Sequence, residues 1–277
     1  MSSGKETGYV NSRTVTASGD HNAYAGSPDS SKTNFTINLG TNLQQVSRVS
    51  FLSVTFRNNA YNVNNEGGGK NNTFAVTVNG VTTDFAVEEG FYTTSTLMSA
   101  VQTAIQAELT AAGDSQTFAL SQTALTQKVQ ALYTEGSSGN PTMTLEQADG
   151  KAGVWELLGF VVTSPLTLTT GIASVATNLP QLGGLTMVYL QSKALAIGNM
   201  FDVDGQQKSY CLAIPVTAPF GVENVWECKV DRFCELTYPT PRNIQLIDFA
   251  LVDKTGQLID LQGANLIINL RVWFQRY

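Results

Sequence analysis

The side chains that could carry chemistry are few and scattered. Asp202-Val203-Asp204-Gly205 opens like a calcium-binding loop, but its glycine comes too early. Ala213 stands where a bidentate glutamate would have to close that site. Glu88-Glu89, and Asp248 with Asp253 and Asp260, are carboxylates of the kind that work in pairs on glycosidic bonds. Nothing in their spacing sets two of them face to face. Glu88-Glu89 also precede a helical stretch, whose N-terminal dipole favours acidic groups on structural grounds alone. Gly67-Gly68-Gly69-Lys70 has the composition of a phosphate loop, without the strand-loop-helix context or the following Ser/Thr.

Histidine chemistry has one candidate. His21, the sole histidine, lies in Thr16–Pro28, a stretch with no apolar periodicity, and a Ser/His/Asp triad or a zinc site needs a rigidly held imidazole. Cys211, Cys228 and Cys234 contain no Cys-x-x-Cys spacing, which excludes a zinc knuckle or a thioredoxin-type motif. Their odd number, with no secretory pattern at Met1–Glu6, predicts free and mostly packed thiols made in a reducing compartment. Trp155, Trp226 and Trp273 read as core or interface anchors. The expectation is therefore a protein that is not an enzyme, with no catalytic, cofactor-binding or metal-binding residues.

Composition points the same way. Only 14% of the 277 residues are charged, against about a quarter in ordinary soluble domains. Hydrophobic residues make up 42%, so Asn, Gln, Ser, Thr and Gly have replaced the missing charge rather than disorder setting in. A net charge of −6 argues against nucleic acid as the main partner. No apolar run approaches the ~18 residues of a membrane span.

The chain must then be organised mainly by strands. Residues 1–33 are polar and read as a flexible N-terminal arm. Asn34–Leu39 alternates strictly and ends at Gly40; Val46–Phe56 is a second strand that changes facing around Leu52-Ser53. Phe74–Val78 and Val81–Val87 flank Asn79-Gly80, the signature of a type I′ hairpin. Leu97, Met98, Val101, Ala104, Ile105 and Leu109 fall on one helical face, with Thr94 or Ser95 as cap and Gly113 as stop. Short strands are predicted at 117–120, 128–133 and 142–145, and Val154–Phe160 as one helical turn with a glycine stop. After a Thr-rich passage at 163–180, strands resume at 185–190, 210–216, 227–233, 244–252, 258–261 and 265–274. Asp253–Gly256 forms a turn between Val252 and Leu258. Many short strands with one long helix predict an all-β, antiparallel sandwich or barrel interrupted by an excursion.

Several stretches, in their order along the chain, resemble one viral family. Asn34–Leu39 followed by Val49–Arg57 and Asn58-Asn59-Ala60-Tyr61-Asn62-Val63 looks like the opening of the minor capsid (penton) proteins of virophages and polinton-like viruses. Glu89-Gly90-Phe91-Tyr92 and Leu157-Leu158-Gly159-Phe160 are similar to the family's Gly-x-Tyr and Leu-Gly-Phe landmarks. Phe249–Leu270 looks like the final hairpin of a capsid jelly roll.

The resemblance implies a single jelly-roll β-sandwich, eight strands in two antiparallel sheets, with an inserted small α+β domain. The jelly roll would occupy 34–69 and 176–277, and the insertion 70–175. By the same implication the protein is a structural component of the virion, assembled inside the host cell. Homopentamers would close each icosahedral vertex and contact the surrounding major capsid protein, with a host receptor as a further partner. The rival reading is a receptor- or carbohydrate-binding β-sandwich of a viral or phage tail or fibre, which the Asn/Thr/Gly richness also suits.

Overall fold

The computed structural model describes residues 10–19, 33–65, 70–111, 115–136, 142–148, 150, 153–196, 200–201, 207–229 and 234–275. His21, Gly67–Gly69, Gly113 and Asp202–Gly205 lie outside these residues. The elements begin with β1 (Val10–Ser18), β2 (Asn34–Arg57), β3 (Thr73–Val78), β4 (Val81–Ala86) and helix α1 (Thr94–Ala111). Then come β5 (Thr117–Gln122), β6 (Val129–Thr134), β7 (Thr142–Glu146), helix α2 (Gly153–Leu157), β8 (Leu166–Thr169) and β9 (Ser174–Val175). The chain continues with β10 (Met187–Gln191), β11 (Met200–Phe201), β12 (Gln207–Lys208), β13 (Tyr210–Pro215), β14 (Glu223–Glu227), β15 (Glu235–Val252) and β16 (Leu266–Gln275).

Two compact units result: residues up to Ala60 together with those from Leu185 on, and Tyr61–Gly184. The second begins and ends outside the expected 70–175 because Val63, Ala176 and Leu182 are buried in its own core.

The first unit is an all-β, jelly-roll-like sandwich in which β2 serves both layers. From Val46 to Arg57 it pairs with β16 on one side and, over Ser53–Arg57, with β14 on the other. From Asn34 to Ser50 it pairs with β15, across three register shifts. One layer thus runs β1–β16–β2–β14 and the other β2–β15–β10–β13, all antiparallel. Where two separate sheets were expected, the hydrogen bonding forms one seven-stranded network. The reason is that the chain does not break at Gly40. Register shifts against β15, with Gln45 at φ 53°, bend one strand from layer to layer instead of ending it.

Burial follows the alternation of these strands. Phe35, Ile37 and Leu39 point inward from one half of β2, and Val49, Phe51, Val54 and Phe56 from the other. The step from Phe51 to Val54 breaks the period of two, and β16 shifts register there, between Asn269 and Leu270.

Three expectations change in this unit. Val10–Ser18, read as part of a flexible arm, is a strand paired along its whole length with β16, with half-buried Val15 and fully buried Ala17 on the inner face. Of the strand expected at 227–233, residues 230–233 lie outside the described residues and the described strand is Glu223–Glu227, while residues 258–261 contribute a bridge from Leu258 to Val252. Third, Cys228 and Cys234 are joined in a disulfide, leaving Cys211 as the free thiol. Its location explains what spacing could not. The edge of β2 changes partner from β15 to β14 between Ser50 and Ser53. In that gap the Phe51 N–H donates to the Cys234 carbonyl (2.9 Å) and the Cys228 N–H to the Leu52 carbonyl (3.0 Å). The disulfide joins the two partner strands where they part.

The second unit is α+β. It holds the sheets β4–β3–β7–β8 and β5–β6–β9 with both helices. The β3–β4 hairpin turns through Asn79 (φ 55°) and Gly80 (φ 76°), the two positive dihedrals a type I′ turn requires. Leu97, Val101, Ile105 and Leu109 form the buried stripe of α1. The cap is Thr93 rather than Thr94 or Ser95: its Oγ1 accepts the Thr96 N–H while Thr96 Oγ1 accepts the Thr93 N–H, a reciprocal box. β8 and β9 sit inside the Thr-rich passage read as irregular, because Leu168 and Ala176 are buried there. Trp155 centres the core, edge-on to Phe74, Phe118 and Phe160, with its indole N–H donated to the Ala75 carbonyl at 3.2 Å.

Candidate functional site

Of the carboxylates singled out in the sequence, Asp248, Asp253 and Asp260 are spent on structure, while Glu88 and Glu89 are exposed. Asp248 accepts the backbone N–H groups of Lys193 and Ala194, each at 2.9 Å, together with the Ser192 hydroxyl, and so shapes the turn after β10. Asp253 gathers the Thr255 and Gln257 N–H groups into the final hairpin turn, and Asp260 the Gln262 N–H. The carbonyl of Glu88 accepts the Tyr92 hydroxyl at 2.8 Å. Among the described residues no three or more His, Cys, Asp or Glu side chains gather to hold a metal.

Two other groups have strongly raised pKa values. Burial pushes the Cys211 thiol up to about 12, despite a hydrogen bond with Ser192 that acts the other way. Burial likewise pushes the Tyr238 phenol up to about 12, with the Arg242 guanidinium opposing. The Tyr238 hydroxyl donates to the Leu195 carbonyl (3.0 Å), and Arg242 stacks over its ring at 4.2 Å. The Asp248 carboxylate also raises the thiol, and Cys211 also raises the phenol. Both are packed.

What stands out instead is a face and a clasp. On the outer face of the layer β1–β16–β2, Thr16 Oγ1 donates to Asn269 Oδ1 at 2.7 Å and Asn269 Nδ2 donates to Ser53 Oγ at 3.0 Å. This ladder crosses three strands without a charge. Beside it, Trp273 is covered by Arg48, 4.0 Å above the ring, with Arg271 at 5.8 Å. Arg48 also pairs with Glu235 at 3.3 Å. The ladder itself carries no charge and its polar groups already bond one another, so that strip can be dried at small cost, with Arg48, Arg271 and Glu235 at its border. Sequence reasoning missed Thr16 and its neighbours because residues 1–33 were read as one arm. The available signal was the alternation of Ser12, Thr14, Thr16 and Ser18 with Val15 and Ala17.

The clasp belongs to the second unit. Asn62 Nδ2 donates to the carbonyls of Tyr92 (2.7 Å) and Leu182 (2.9 Å), while its Oδ1 accepts the Tyr92 N–H (2.8 Å). Val63 bridges Gly90 through both backbone groups. Leu158-Gly159-Phe160 ends α2 in a Schellman motif: the Phe160 N–H donates to the Trp155 carbonyl and the Gly159 N–H to that of Glu156. The segment leading to Leu182 runs along this turn, with Asn178 donating to Gly159 and Gln181 to Leu157. The three landmarks read from the sequence are thus linked by hydrogen bonds. In the first unit, Asn58 of the same Asn-rich turn donates through Nδ2 to the Ala218 carbonyl at 2.7 Å.

No family model and no curated protein matches the chain. Among solved structures it is similar to the selenomethionine-labelled mavirus penton protein, with 8% identity and a TM-score of 0.48, over 96% of this chain and 100% of that one. It is also similar to a chain in the 3.5 Å cryo-EM structure of the Sputnik virophage, with 11% identity and a TM-score of 0.45, over 97% of this chain and 99% of that one.

Proposed function

We propose that this chain is a non-enzymatic structural protein of a viral capsid, the penton of a virophage-like particle. The observation that carries the reading is the clasp: Asn62, Tyr92 and the turn at Gly159 belong to separate landmarks of the resemblance, and hydrogen bonds join them around one core. Landmarks that meet in space have a physical reason to recur in that order. The layer order β1–β16–β2–β14 over β2–β15–β10–β13 is that of a jelly roll, an architecture used by capsid proteins and by lectins alike.

In this reading five copies close a ring at each vertex through heterologous contacts, one flank meeting the opposite flank of the next copy. The uncharged ladder of Thr16, Asn269 and Ser53 suits such a flank. The ring contacts the major capsid protein around it, and the unit Tyr61–Gly184 faces outward toward a host receptor. The proteins assemble inside the host cell.

Imaging of assembled particles tests the assignment: density for this chain at the vertices is expected, and density elsewhere rejects it. The second reading, a lectin-like module, draws on a polar hollow in the first unit lined by Arg57, Asn59, Glu223 and Asn265. A glycan array separates the two, since tight sugar binding by the isolated chain belongs to the lectin.

A further inference from the structure

The second unit contains a pocket of about 200 Å3 between the β3–β4 hairpin and the last turns of α1. It is smaller than the ~300–1,000 Å3 of ordinary small-molecule sites, which sizes it for one side chain rather than a whole cofactor. Its apolar walls are Val76, Val78, Val81, Phe85, Ile105 and Leu109, and the uncharged polar residues Asn79, Thr83 and Gln116 also line it. The hairpin tip overhangs the helix, so Val81 stands 66% exposed at the mouth while Ile105 and Leu109 are buried beneath. A single charged residue lines the pocket, Glu108. Glu108 lies in the last turn of α1, which carries no basic residue, so the negative end of the helix dipole adds to its charge instead of being balanced. The pocket is therefore apolar in its body and negative at one point.

From this combination we infer that the pocket receives a lysine side chain from a partner protein, its methylene stem against the valines and Leu109 and its ammonium on Glu108. A lysine matches both halves of the site: the stem gains by burial, and the compact ammonium needs one carboxylate rather than a flat bidentate partner. An apolar side chain would leave Glu108 unused, and an acidic one would meet it and the helix terminus with like charge. The inference concerns this unit's recognition chemistry and does not rest on the capsid reading.

The test uses the full chain and Nα-acetyl-lysine methylamide as probe, followed by NMR of the valine, leucine and isoleucine methyls. The lysine derivative is expected to shift the methyls of Val76, Val81, Ile105 and Leu109. Its norleucine and Nζ-acetyl-lysine counterparts should bind about fivefold more weakly, the equivalent of ~1 kcal/mol for a partly exposed ion pair. Glu108→Gln, at an exposed position, should erase the preference for lysine while leaving norleucine binding unchanged. Val81→Trp, also at an exposed position, should block all three probes. Equal binding of norleucine and lysine, an unaltered preference in Glu108→Gln, or no methyl shifts with any probe at millimolar concentration overturns the inference. Each variant is first checked for a wild-type melting curve. If Val81→Trp melts early, Glu108→Gln alone decides.

Discussion

The side-chain amide of Asn62 holds Tyr92 by both of its backbone groups, accepting the N–H at 2.8 Å and donating to the carbonyl at 2.7 Å. A primary amide can do both at once because one planar group carries two N–H donors and a carbonyl acceptor. Asn62→Ala leaves two carbonyls and an N–H without this partner and should cost about 1–3 kcal/mol in urea denaturation. Asn62→Asp should cost more, because a carboxylate oxygen then faces the carbonyls of Tyr92 and Leu182. A loss for Asp no larger than for Ala would mean the donor half of the clasp contributes little.

The turn at Gly159 has no room for a side chain. Its φ is +89°, and an added Cβ would lie 2.3 Å from the Asn178 carbonyl oxygen. Gly159→Ala should lower stability by about 2–4 kcal/mol, from left-handed strain plus overpacking. Gly171 isolates the first contribution: φ is +71° with nothing within 4 Å, so Gly171→Ala should cost only about 1 kcal/mol. Thermal melts of the two variants read the difference.

Disulfide formation makes a count that thiol titration checks. Unfolded without reductant, each chain should expose the one thiol of Cys211, and after reduction three. Closing so short a loop contributes about 2 kcal/mol in the chain-entropy account, so reduction should lower the urea midpoint accordingly. In the folded protein Cys211, with its thiol at about 12, should alkylate at pH 8 on the order of a thousandfold more slowly than an exposed cysteine.

Alkaline pH should destabilise the first unit through Tyr238. Its folded pKa, about 12, stands above the ordinary value of 10, so the unfolded chain loses this proton first. The contribution is complete below pH 10 and disappears as pH rises toward 12. Tyr238→Phe removes the hydrogen bond to Leu195 and should flatten that part of the stability profile. An unchanged slope between pH 10 and 12 would assign the alkaline loss to other groups.

Charge placed on the uncharged ladder should separate folding from assembly. Thr16 is exposed and bonds only at the surface, so Thr16→Glu should alter chain stability by under about 1 kcal/mol. In a ring whose flanks are desolvated, the same charge should abolish or sharply reduce pentamers, read by native mass measurement. Rings that form normally would move the lateral contact away from this face.

Much of this architecture can be read from local pattern, and the misses have physical causes. Asn79-Gly80, the helical stripe from Leu97 to Leu109 and the stop at Gly159 are visible because each residue's role is decided by its immediate neighbours. Val10–Ser18 is different. It is a strand only because β16, more than 240 residues later, supplies every partner, as in Val10 with Gln275. The Cys228–Cys234 link also depends on distant chain, namely where β2 exchanges one neighbour for another. The clasp is intermediate: Asn62 and Tyr92 are both legible as landmarks, but their bonding needs the fold. The Thr16–Asn269–Ser53 ladder leaves no local trace beyond alternation.

The pairing of β2 sets a timetable for synthesis. Its partners β14, β15 and β16 all lie beyond Val222, and β1 waits for β16, which ends at Gln275. On the ribosome, Phe35, Val49, Phe51 and Phe56 therefore emerge early and stay uncovered until the last strand is made. Tyr61–Gly184 has its own core and can fold in that interval, a finished body on a nascent chain whose first strands are still unpaired. A message truncated before β16 would thus yield not a smaller sandwich but an adhesive apolar ribbon tethered to a folded body.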